Sequence, residues 1–441
     1  MRVGVLGGGI TGAVIAKRLA EQGHEVLLYE AGPEIGGLVA SHTVGGTDLE
    51  IYYHHIFTHE TSIIDLITEL GVDKDLEWID SSVSVLSADG VLRSFSTPKD
   101  ILVFRPIPFF SRIRMGAAGV LAPYLFRWQQ LDHTPAVTWA RKLMGKKAAE
   151  EIWDPMLRAK WGELHTEVPA PWLWARMRQR SRSRGKGKEK LGYIRGGFRK
   201  LYLALQNDLE AKGVKLHFDQ PVQRVLTDGI KVHGVQTSAG IEELDHVVST
   251  IPIPRLTSLL DEKVPASYRE RLAQTEYMWV ICVILTLDRQ LTPYYWVNVA
   301  DRSIPFGAFI EHTNLIPPSD YDGNHVVYLG RYFPPARYGE EAERLAQGNL
   351  NEIVGEWIEH LSRFNPDFDP TWIKKVIPFR TQFAAPVVRA GQGNRILPFA
   401  TPVDGLWVAT MTQIYPDDRG QSEGIHLAER CVQAMEPRLL P

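Results

Sequence analysis

Near its N-terminus the chain carries a glycine-rich turn of a kind that few folds use. Residues 7–12 read Gly-Gly-Gly-Ile-Thr-Gly, a G-x-G-x-x-G pattern between the apolar run 2–6 and an amphipathic stretch, 10–22, that Gly23 closes. In such a pattern the first glycine permits a tight turn, the second lets a phosphate approach the backbone, and the third lets the helix pack on the strand. The helix start also points its positive dipole end at the phosphates. The pattern predicts a βαβ dinucleotide-binding unit; a glycine turn without a ligand is the alternative.

An acidic residue stands where such a unit needs one. Residues 25–29 are apolar enough for a second strand, and Glu30 follows it, 18 residues after Gly12. A carboxylate at about this interval accepts hydrogen bonds from ribose hydroxyls, and it would repel a 2′-phosphate. The residues that we predict to bind the dinucleotide here are Gly7, Gly9, Ile10, Thr11, Gly12 and Glu30.

Composition excludes several classes of protein. The 441 residues include 49 Lys plus Arg and 52 Asp plus Glu, a formal net charge of −3, so we expect no nucleic-acid partner. The two cysteines, Cys282 and Cys431, form neither a redox pair nor a zinc motif, and we expect no metal. The start of the chain lacks the pattern of an export signal, so we expect a cytoplasmic protein.

Two segments differ in composition from the rest. Residues 101–128 are rich in apolar residues, but arginines and prolines interrupt them, so the segment is a poor membrane span. It fits either helices that cap a substrate pocket or helices that lie on the inner face of a membrane. Residues 176–190 contain eight cations and one acid, which is typical of a solvated loop; contact with an anionic membrane or an acidic substrate is the alternative.

Hydrophobic periodicity predicts alternating strands and helices along the chain. Beyond residue 30 the predicted strands are 214–218, 247–249, 277–288, 325–333, 372–379 and 406–408, and the predicted helices are 62–70, much of 136–165, 198–212, 342–363 and 421–436. A second glycine pair, Gly391 and Gly393, has no third glycine and no helix after it, so we expect one dinucleotide site.

Several further segments resemble the flavin-containing amine oxidase superfamily, which includes protoporphyrinogen oxidases and carotenoid desaturases. They are Gly36-Gly37-Leu38, the run 193–198 with the following helix, strand and Pro221-Val222, the strand 248–252, and the run 405–411 followed by 420–424. Leu38 stands where that family usually has Arg, and Met411 where it usually has Asp. The resemblance implies FAD as the cofactor. It implies FAD contacts at Gly36, Gly37, Leu38, Val222, Thr410, Met411, Ser422 and Glu423.

The run 52–58, Tyr-Tyr-His-His-Ile-Phe-Thr, is similar to a segment of the UDP-galactopyranose mutases, a related flavin family without net redox chemistry. The family position implies that Tyr53 and His54 contact the flavin and that His55 acts on the substrate. A local hydrogen bond within a loop is the alternative interpretation of the two histidines.

The loop 412–420 precedes the last predicted helix and supplies three polar candidates. We predict that Tyr415 forms an aromatic wall of the substrate cavity, that Arg419 binds a carboxylate or phosphate, and that Asp418 orients Arg419. A turn with an Asp-Arg surface pair is the alternative.

Together these features predict an α/β protein in which a glutathione-reductase-type FAD-binding Rossmann domain is interleaved with a mixed α+β substrate domain. The FAD-binding domain is predicted over 1–95, 196–265 and 390–441, and the substrate domain, with a helical cap, over 96–195 and 266–389. The leading functional hypothesis is an FAD-dependent oxidoreductase that takes a hydride from a C–N or C–C centre of a small organic substrate. The alternatives are a mutase that acts on a nucleotide sugar and a flavin-bound carrier or chaperone without catalysis.

Overall fold

A computed structural model of the chain describes residues 1–183 and 189–439. Its strands are β1 Arg2–Leu6, β2 Glu25–Tyr29, β3 Ser41–Val44, β4 Thr47–Glu50, β5 Ile56–Phe57, β6 Leu76–Asp80, β7 Val83–Leu86, β8 Leu92–Ser94, β9 Lys190–Ile194, β10 Lys215–His217, β11 Arg224–Thr227, β12 Val232–Thr237, β13 Gly240–Glu243, β14 His246–Ser249, β15 Tyr277–Leu287, β16 Trp296–Val299, β17 Ala308–Glu311, β18 His325–Phe333, β19 Ile373–Pro386 and β20 Leu406–Val408.

The α-helices separate and flank these strands. They are α1 Ile10–Glu21, α2 Thr61–Glu69, α3 Pro98–Val103, α4 Phe109–Leu125, α5 Trp128–Leu131, α6 Ala136–Met144, α7 Lys146–Ala148, α8 Asp154–Trp161, α9 Ala170–Ser183, α10 Arg199–Ala211, α11 Ile253–Leu259, α12 Ala266–Ala273, α13 Glu340–Gln347, α14 Leu350–Glu359 and α15 Gln421–Leu439. Within the described ranges, none of these helices combines the length and the apolar character needed to cross a bilayer.

A five-stranded sheet gathers short apolar strands from distant parts of the chain. Its order is β10-β2-β1-β14-β20, and each neighbouring pair is parallel. All strands but the edge strand β10 are buried almost throughout, as parallel strands covered on both faces must be. The helices α1, α10 and α15 pack together on this sheet. The five strands predicted at 2–6, 25–29, 214–218, 247–249 and 406–408 are therefore confirmed as elements.

A second sheet of seven strands is mostly antiparallel, in the order β19-β15-β18-β17-β16-β7-β8. Its long central strand β15 pairs with β18 on one side and with β19 on the other. The strands β7 and β8, formed by residues 83–94, join this sheet through the parallel pairing of β7 with β16. The sheets thus separate residues 83–94 from the strands of the five-stranded sheet, although the sequence grouped 1–95 with the dinucleotide unit.

A layer of helices, α3 to α9, packs around its own apolar core of tryptophans, methionines and alanines.

The structure corrects two predictions, one for a segment of this layer and one for the region after β18. Residues 176–183 belong to the helix α9 and do not form a solvated loop; residues 184–188 of the same basic run lie outside the described residues. The helix predicted at 342–363 is two helices, because Gly348 interrupts it and the Asn349 side chain caps α14 by accepting from the Asn351 N–H.

Candidate functional site

A cavity of about 1650 Å³ lies between the five-stranded sheet, the seven-stranded sheet and the helical layer. Pockets for drug-sized ligands usually measure roughly 300–1,000 Å³, so this cavity has room for a dinucleotide and a second molecule. The sequence-predicted residues that line it are Gly7, Gly9, Ile10, Thr11, Gly12, Glu30, Gly36, Gly37, Leu38, Tyr53, His54, His55, Val222, Thr410, Met411, Glu423 and Arg419. Ser422 and Tyr415 are not among its lining residues.

The glycine turn leaves space at one position and closes it at the others. Gly7 has a φ of +104°, and a Cβ on Gly12 would lie 2.0 Å from the Gly7 carbonyl oxygen, so neither position accepts a side chain. A Cβ on Gly9, in contrast, would meet no atom within 4 Å. Gly9 precedes the first residue of α1 and borders the cavity. The turn is therefore a cradle that is open on the cavity side, as a pyrophosphate requires.

A second glycine segment packs against this cradle. The Gly36 N–H donates to the Gly8 carbonyl at 2.9 Å, and a Cβ on Gly37 would lie 3.1 Å from Gly9 Cα. Gly37 also has a φ of +57°, in the left-handed region that favours glycine. The two segments together present backbone to the cavity, although the arginine that the resembling family places beside them is Leu38 here.

The Glu30 carboxylate is held by two backbone N–H groups. Oε2 accepts from Gly8 at 2.6 Å, and Oε1 accepts from Gly32 at 2.8 Å. Because each carboxylate oxygen has further lone pairs, it can also accept from a ribose hydroxyl. The position at the end of β2, at the rim of the cavity, is the one that the spacing predicts.

Two helices begin at the cavity and touch each other there. The Thr11 hydroxyl of α1 donates to the Gly424 carbonyl of α15 at 3.2 Å. Both helix starts direct positive dipole ends toward the cavity, where they favour negative charge. In the first turn of α15, Glu423 faces the cavity, whereas Ser422 is buried away from it. The Ser422 side chain is therefore not in position for the FAD contact that the family resemblance implies.

Glu60 joins Glu423 at this place, and the sequence did not single it out. Burial and the nearby charge of Glu423 raise the pKa of Glu60 to about 8, and burial also raises the pKa of Glu423. The Phe57 N–H donates to the Glu60 carboxyl at 2.5 Å. Glu60 is therefore mainly uncharged at neutral pH, so the pair adds less negative charge to the cavity than two carboxylates would.

The two histidines of the 52–58 run are buried at the cavity wall. His55 Nδ1 lies 3.0 Å from the Tyr295 hydroxyl, and His54 Nδ1 lies 2.5 Å from the Tyr52 carbonyl oxygen. Burial lowers the pKa of His55 to about 3 and, together with the charge of Arg419, that of His54 to about 4. Both imidazoles are therefore neutral at physiological pH. The His54 bond is the local loop contact of the alternative interpretation, whereas the His55 bond reaches Tyr295, 240 residues away.

A cluster of cations surrounds Asp418 on the cavity wall. The Asp418 carboxylate is paired with Lys160 and with Arg176, two residues that sequence reasoning did not select. Arg419 donates through Nη2 to the Tyr332 hydroxyl at 2.6 Å, and Asp418 touches only its backbone N–H, at 3.1 Å. The prediction that Asp418 orients the Arg419 guanidinium is therefore wrong. Tyr332 holds that group, and Asp418 instead partly neutralises Lys160 and Arg176.

Tyr415 points away from the cavity into the helical layer. Its hydroxyl donates to the buried Asp132 at 2.5 Å, and its ring meets Trp128 edge to face. The predicted aromatic wall is therefore not formed by Tyr415. Tyr52, Tyr53 and Trp296 supply aromatic surface to the cavity instead.

The described residues contain no group of His, Cys, Asp and Glu side chains arranged to bind a metal ion. Both cysteines are buried and free, and burial raises the pKa of Cys431 to about 12 and that of Cys282 further. Neither thiol lines the cavity.

A parallel sheet with an open glycine cradle, a ribose-type acid and two converging helix starts defines a dinucleotide-binding protein. The particular family follows from comparison with known sequences. Residues 10–415 match the family described as flavin containing amine oxidoreductase, and the chain belongs to this family. Its cofactor is FAD, and it is an FAD-dependent oxidoreductase.

Known proteins resemble the chain over most of its length. The 15-cis-phytoene desaturase of Synechococcus elongatus is 24% identical over 401 residues, which are 83% of this chain and 82% of that protein. The structure of an oxidoreductase from Methanosarcina mazei superposes with a TM-score of 0.73 at 18% identity, covering 99% of this chain and 100% of the other. Reduced UDP-galactopyranose mutase superposes with a TM-score of 0.73 at 15% identity, covering 100% of this chain and 96% of the other. These structural likenesses concern a mixed α/β fold with parallel and antiparallel sheets.

Proposed function

We propose that the protein oxidises a carbon–carbon bond of a predominantly apolar organic substrate that carries no positive charge. One observation carries the proposal: a single cavity joins the glycine cradle to a chamber with apolar helical walls and a cluster of cations between them. The apolar walls include Met115, Ile152, Leu157, Leu173 and Met177. A phytoene desaturase that matches 83% of this chain supports the same direction.

The charge of the cavity argues against an amine as the substrate. Burial and neighbouring arginines lower the pKa of Arg176 to about 10, so it remains protonated at neutral pH. Arg419 adds a second guanidinium, and Asp418 is the carboxylate that lies between Lys160 and Arg176. Burial and the charges of the two arginines lower the pKa of Lys160 well below its usual value, so the positive charge of the cluster lies on the arginines. An ammonium group in this place would meet net positive charge in a region of low dielectric, and the repulsion would weaken its binding.

Each group has a role in this reaction. The residues that would hold FAD are Gly7–Gly12, Glu30, Gly36–Leu38, Val222, Thr410, Met411 and Glu423. When bound, FAD would supply the acceptor for the two electrons and for both hydrogens, which leave neighbouring substrate carbons as a hydride and a proton. The apolar walls bind the substrate body and exclude water. Arg419 and Arg176 hold an anionic or carbonyl end of the substrate, and the neutral His55 orients a polar group without adding charge.

We also propose that the chain divides into an FAD-binding Rossmann unit of the glutathione-reductase type and an interleaved substrate unit. The first comprises about 1–82, 189–265 and 390–441, and the second about 83–183 and 266–389; β9 belongs to the first because it pairs with β5 and β6. The membership of β7 and β8 in the seven-stranded sheet supports moving the first boundary from 95 to 82.

Anaerobic bleaching of the bound flavin tests the reaction. Holoprotein is mixed with a partly saturated polyene that ends in a carboxylate or carbonyl group, a primary amine, a porphyrinogen and a nucleotide sugar in separate experiments. Bleaching by the polyene together with a new double bond in the product supports the proposal. Bleaching by the amine alone contradicts it, and bleaching by none of them favours a flavin-bound carrier.

Variants separate cavity residues from supporting residues in the same assay. We expect His55→Ala and Arg419→Ala to retain FAD but to slow bleaching at least about tenfold, the equivalent of 1.4 kcal/mol of barrier. Tyr415→Phe is the matched control, because its ring lies outside the cavity, and its rate should stay within twofold of wild type. A rate for either alanine variant that equals the control would remove that residue from the mechanism.

A mutase is the second candidate function, favoured by the position of the 52–57 run at the cavity wall and by the fold of the UDP-galactopyranose mutase structure. Conversion of a nucleotide sugar by protein with reduced flavin, without net oxidation, would establish it. Absence of conversion combined with polyene bleaching leaves the oxidoreductase.

A further inference from the structure

The outer face of the helices α3 and α4 is unusually apolar for a protein surface. The described residues include fifteen large apolar side chains that are exposed, and nine of them lie between 102 and 125. The nine are Leu102, Val103, Phe109, Phe110, Ile113, Val120, Leu121, Tyr124 and Leu125, which we call the exposed apolar patch. Phe110 is 82% exposed and Tyr124 is 79% exposed. Single exposed apolar residues are ordinary, but a contiguous patch marks an interaction site.

The patch follows from the helical repeat of α4. Phe109, Ile113, Val120 and Tyr124 recur at intervals of four or seven residues, so they share one side of the helix. The other side carries Met115, Ala118 and Ala122, which are buried against the helical layer. The helix is therefore apolar on both sides, and one of them has no partner within the described chain.

Cations outnumber acids around the patch. Residues 96–151 contain nine Lys or Arg against four acids, Asp100, Asp132, Glu150 and Glu151. Asp100 is half-buried and accepts from the N–H groups of Ser96 and Thr97, and Asp132 is buried beneath Tyr415. The exposed cations are Lys99, Arg105, Arg114, Arg127, Arg141, Lys142, Lys146 and Lys147, of which Arg141, Lys146 and Lys147 pair with Glu150 or Glu151. An apolar face with flanking cations is the composition of a helix that lies in the plane of an anionic membrane.

The cavity reaches the surface within this patch. Leu102, Ile113, Val120 and Tyr124 line the cavity, although each of them is exposed. Gly116 and Gly119 lie between them on α4, and a Cβ on either would meet no atom within 4 Å, so they leave an open gap. A molecule that enters here passes from the apolar patch to the apolar walls of the chamber.

We propose that the exposed apolar patch lies in the headgroup and upper acyl region of an anionic bilayer, and that the cavity takes its substrate from the lipid at that place. The second part rests on the proposed function, which gives the substrate an apolar body; the first part does not. A second copy of the chain is a poorer occupant, because two copies would bring two cationic surfaces together.

The arginines of the run 176–190 do not share this role where they are described. Arg176 pairs with Asp418 inside the cavity, and Arg178 donates to Asp417 at 2.7 Å. Lipid contact is therefore assigned to 102–125 and its flanking cations, in contrast to the sequence expectation that included 176–190. Residues 184–188 lie outside the described part of that run.

Flotation of purified holoprotein with vesicles tests the docking surface. Vesicles of phosphatidylcholine alone are compared with vesicles that contain about 30% phosphatidylglycerol, whose negative surface potential attracts cationic segments. We expect binding to the anionic vesicles at least tenfold above that to the neutral ones, and weaker binding at about 0.5 M salt. Equal recovery with both vesicles, or none with either, overturns the proposal.

Paired variants locate the surface. Phe110→Asp with Tyr124→Asp should lower the bound fraction at least tenfold, and Lys142→Glu with Lys146→Glu should lower it severalfold. Ile230→Asp is the matched control, since Ile230 is 76% exposed and lies outside the patch. All variants are first checked for wild-type flavin content, which excludes loss of folding. Unchanged binding of the Phe110 and Tyr124 variant contradicts the proposal.

Two further readouts separate the remaining outcomes. Sedimentation velocity without vesicles that shows a dimer, converted to monomer by Phe110→Asp with Tyr124→Asp, would assign the patch to a second copy and overturn lipid docking. Vesicle binding needs no turnover, so binding without oxidation of any apolar substrate would leave the docking surface standing and reject the proposed function.

Discussion

The substitution Gly9→Ala separates cofactor binding from folding more sharply than other changes in the glycine turn. An ideal Cβ at Gly9 meets no protein atom within 4 Å, and the φ of −69° suits alanine. A modest loss at the helix N-cap and a gain of roughly 0.4–1 kcal/mol from the stiffer unfolded chain nearly cancel. We therefore expect the apoprotein to unfold within about 2 °C of wild type.

The cofactor responds differently, because the added methyl group occupies the space that faces the cavity. Backbone hydrogen bonds to a charged phosphate contribute roughly 1.5–3 kcal/mol each. Displacement that breaks one such bond weakens FAD binding by roughly 10- to 150-fold. Flavin fluorescence titration of apoprotein measures this constant, and thermal unfolding of the same apoprotein measures stability.

Two controls make the result interpretable. Gly355 lies in α14, away from the cavity, and a Cβ at this position also meets no atom within 4 Å. Gly355→Ala should therefore lower neither the affinity for FAD nor the unfolding temperature. Gly12→Ala should lower both the affinity for FAD and the unfolding temperature, because its Cβ would lie 2.0 Å from the Gly7 carbonyl oxygen. If apoprotein with Gly9→Ala binds FAD as wild type does, Gly9 does not face the pyrophosphate and the cradle argument fails.

Three other changes test separate parts of the structure. Glu30→Ala should weaken FAD binding by roughly 10- to 150-fold, because a charged hydrogen bond is lost. The same titration measures this change. The control is Glu359→Ala, which should leave FAD binding unchanged because Glu359 does not line the cavity. The Lys17 side chain is 1% exposed and contacts Glu21, Glu69 and Asp208 at 2.8, 2.9 and 2.8 Å. In urea unfolding, Lys17→Met should therefore lower the free energy of unfolding by roughly 2–4 kcal/mol. The control, Lys212→Met, should lower it by under about 1 kcal/mol, because Lys212 is more exposed. Burial raises the pKa of the Glu50 carboxyl from 4.5 to about 7. The neutral carboxyl therefore stabilises the fold fully below about pH 4.5, and this stabilisation is lost as the pH rises through about 7. Glu50→Gln should therefore gain roughly 1–3 kcal/mol on wild type between pH 5 and pH 8; a pH-independent difference would show that the carboxyl does not titrate in this range.

The local motifs could be predicted from sequence because adjacent residues determine them. The turn at Gly7–Gly12 needs only its own glycines and the flanking strand and helix, and Glu30 follows at a distance set by α1 and β2. The family resemblance then supplied the cofactor. None of these inferences required knowledge of which distant segments meet.

The cation cluster could not be predicted in this way. Lys160 and Arg176 lie more than 240 residues from Asp418, and the basic run that contains Arg176 has the composition of a solvated surface. Tyr415 shows the converse error. Its place next to the last helix suggested the cavity, but the buried carboxylate of Asp132, from another part of the chain, holds its hydroxyl on the opposite side. In both cases long-range partners decide where the side chain lies.

The contact between Thr11 and Gly424 has a consequence for the order in which the protein matures. Strand β1 has β14, at residues 246–249, as one neighbour, and the cradle next to it is completed by the start of α15 at residues 420–424. A ribosome produces these pieces far apart in time, and parallel pairing between distant strands is slow. The newly made N-terminal unit must therefore wait for residues 420–424 before FAD can bind. Free FAD then stabilises only the fold in which these segments have met, by RT ln(1 + [FAD]/Kd), so flavin supply acts on the yield late in folding.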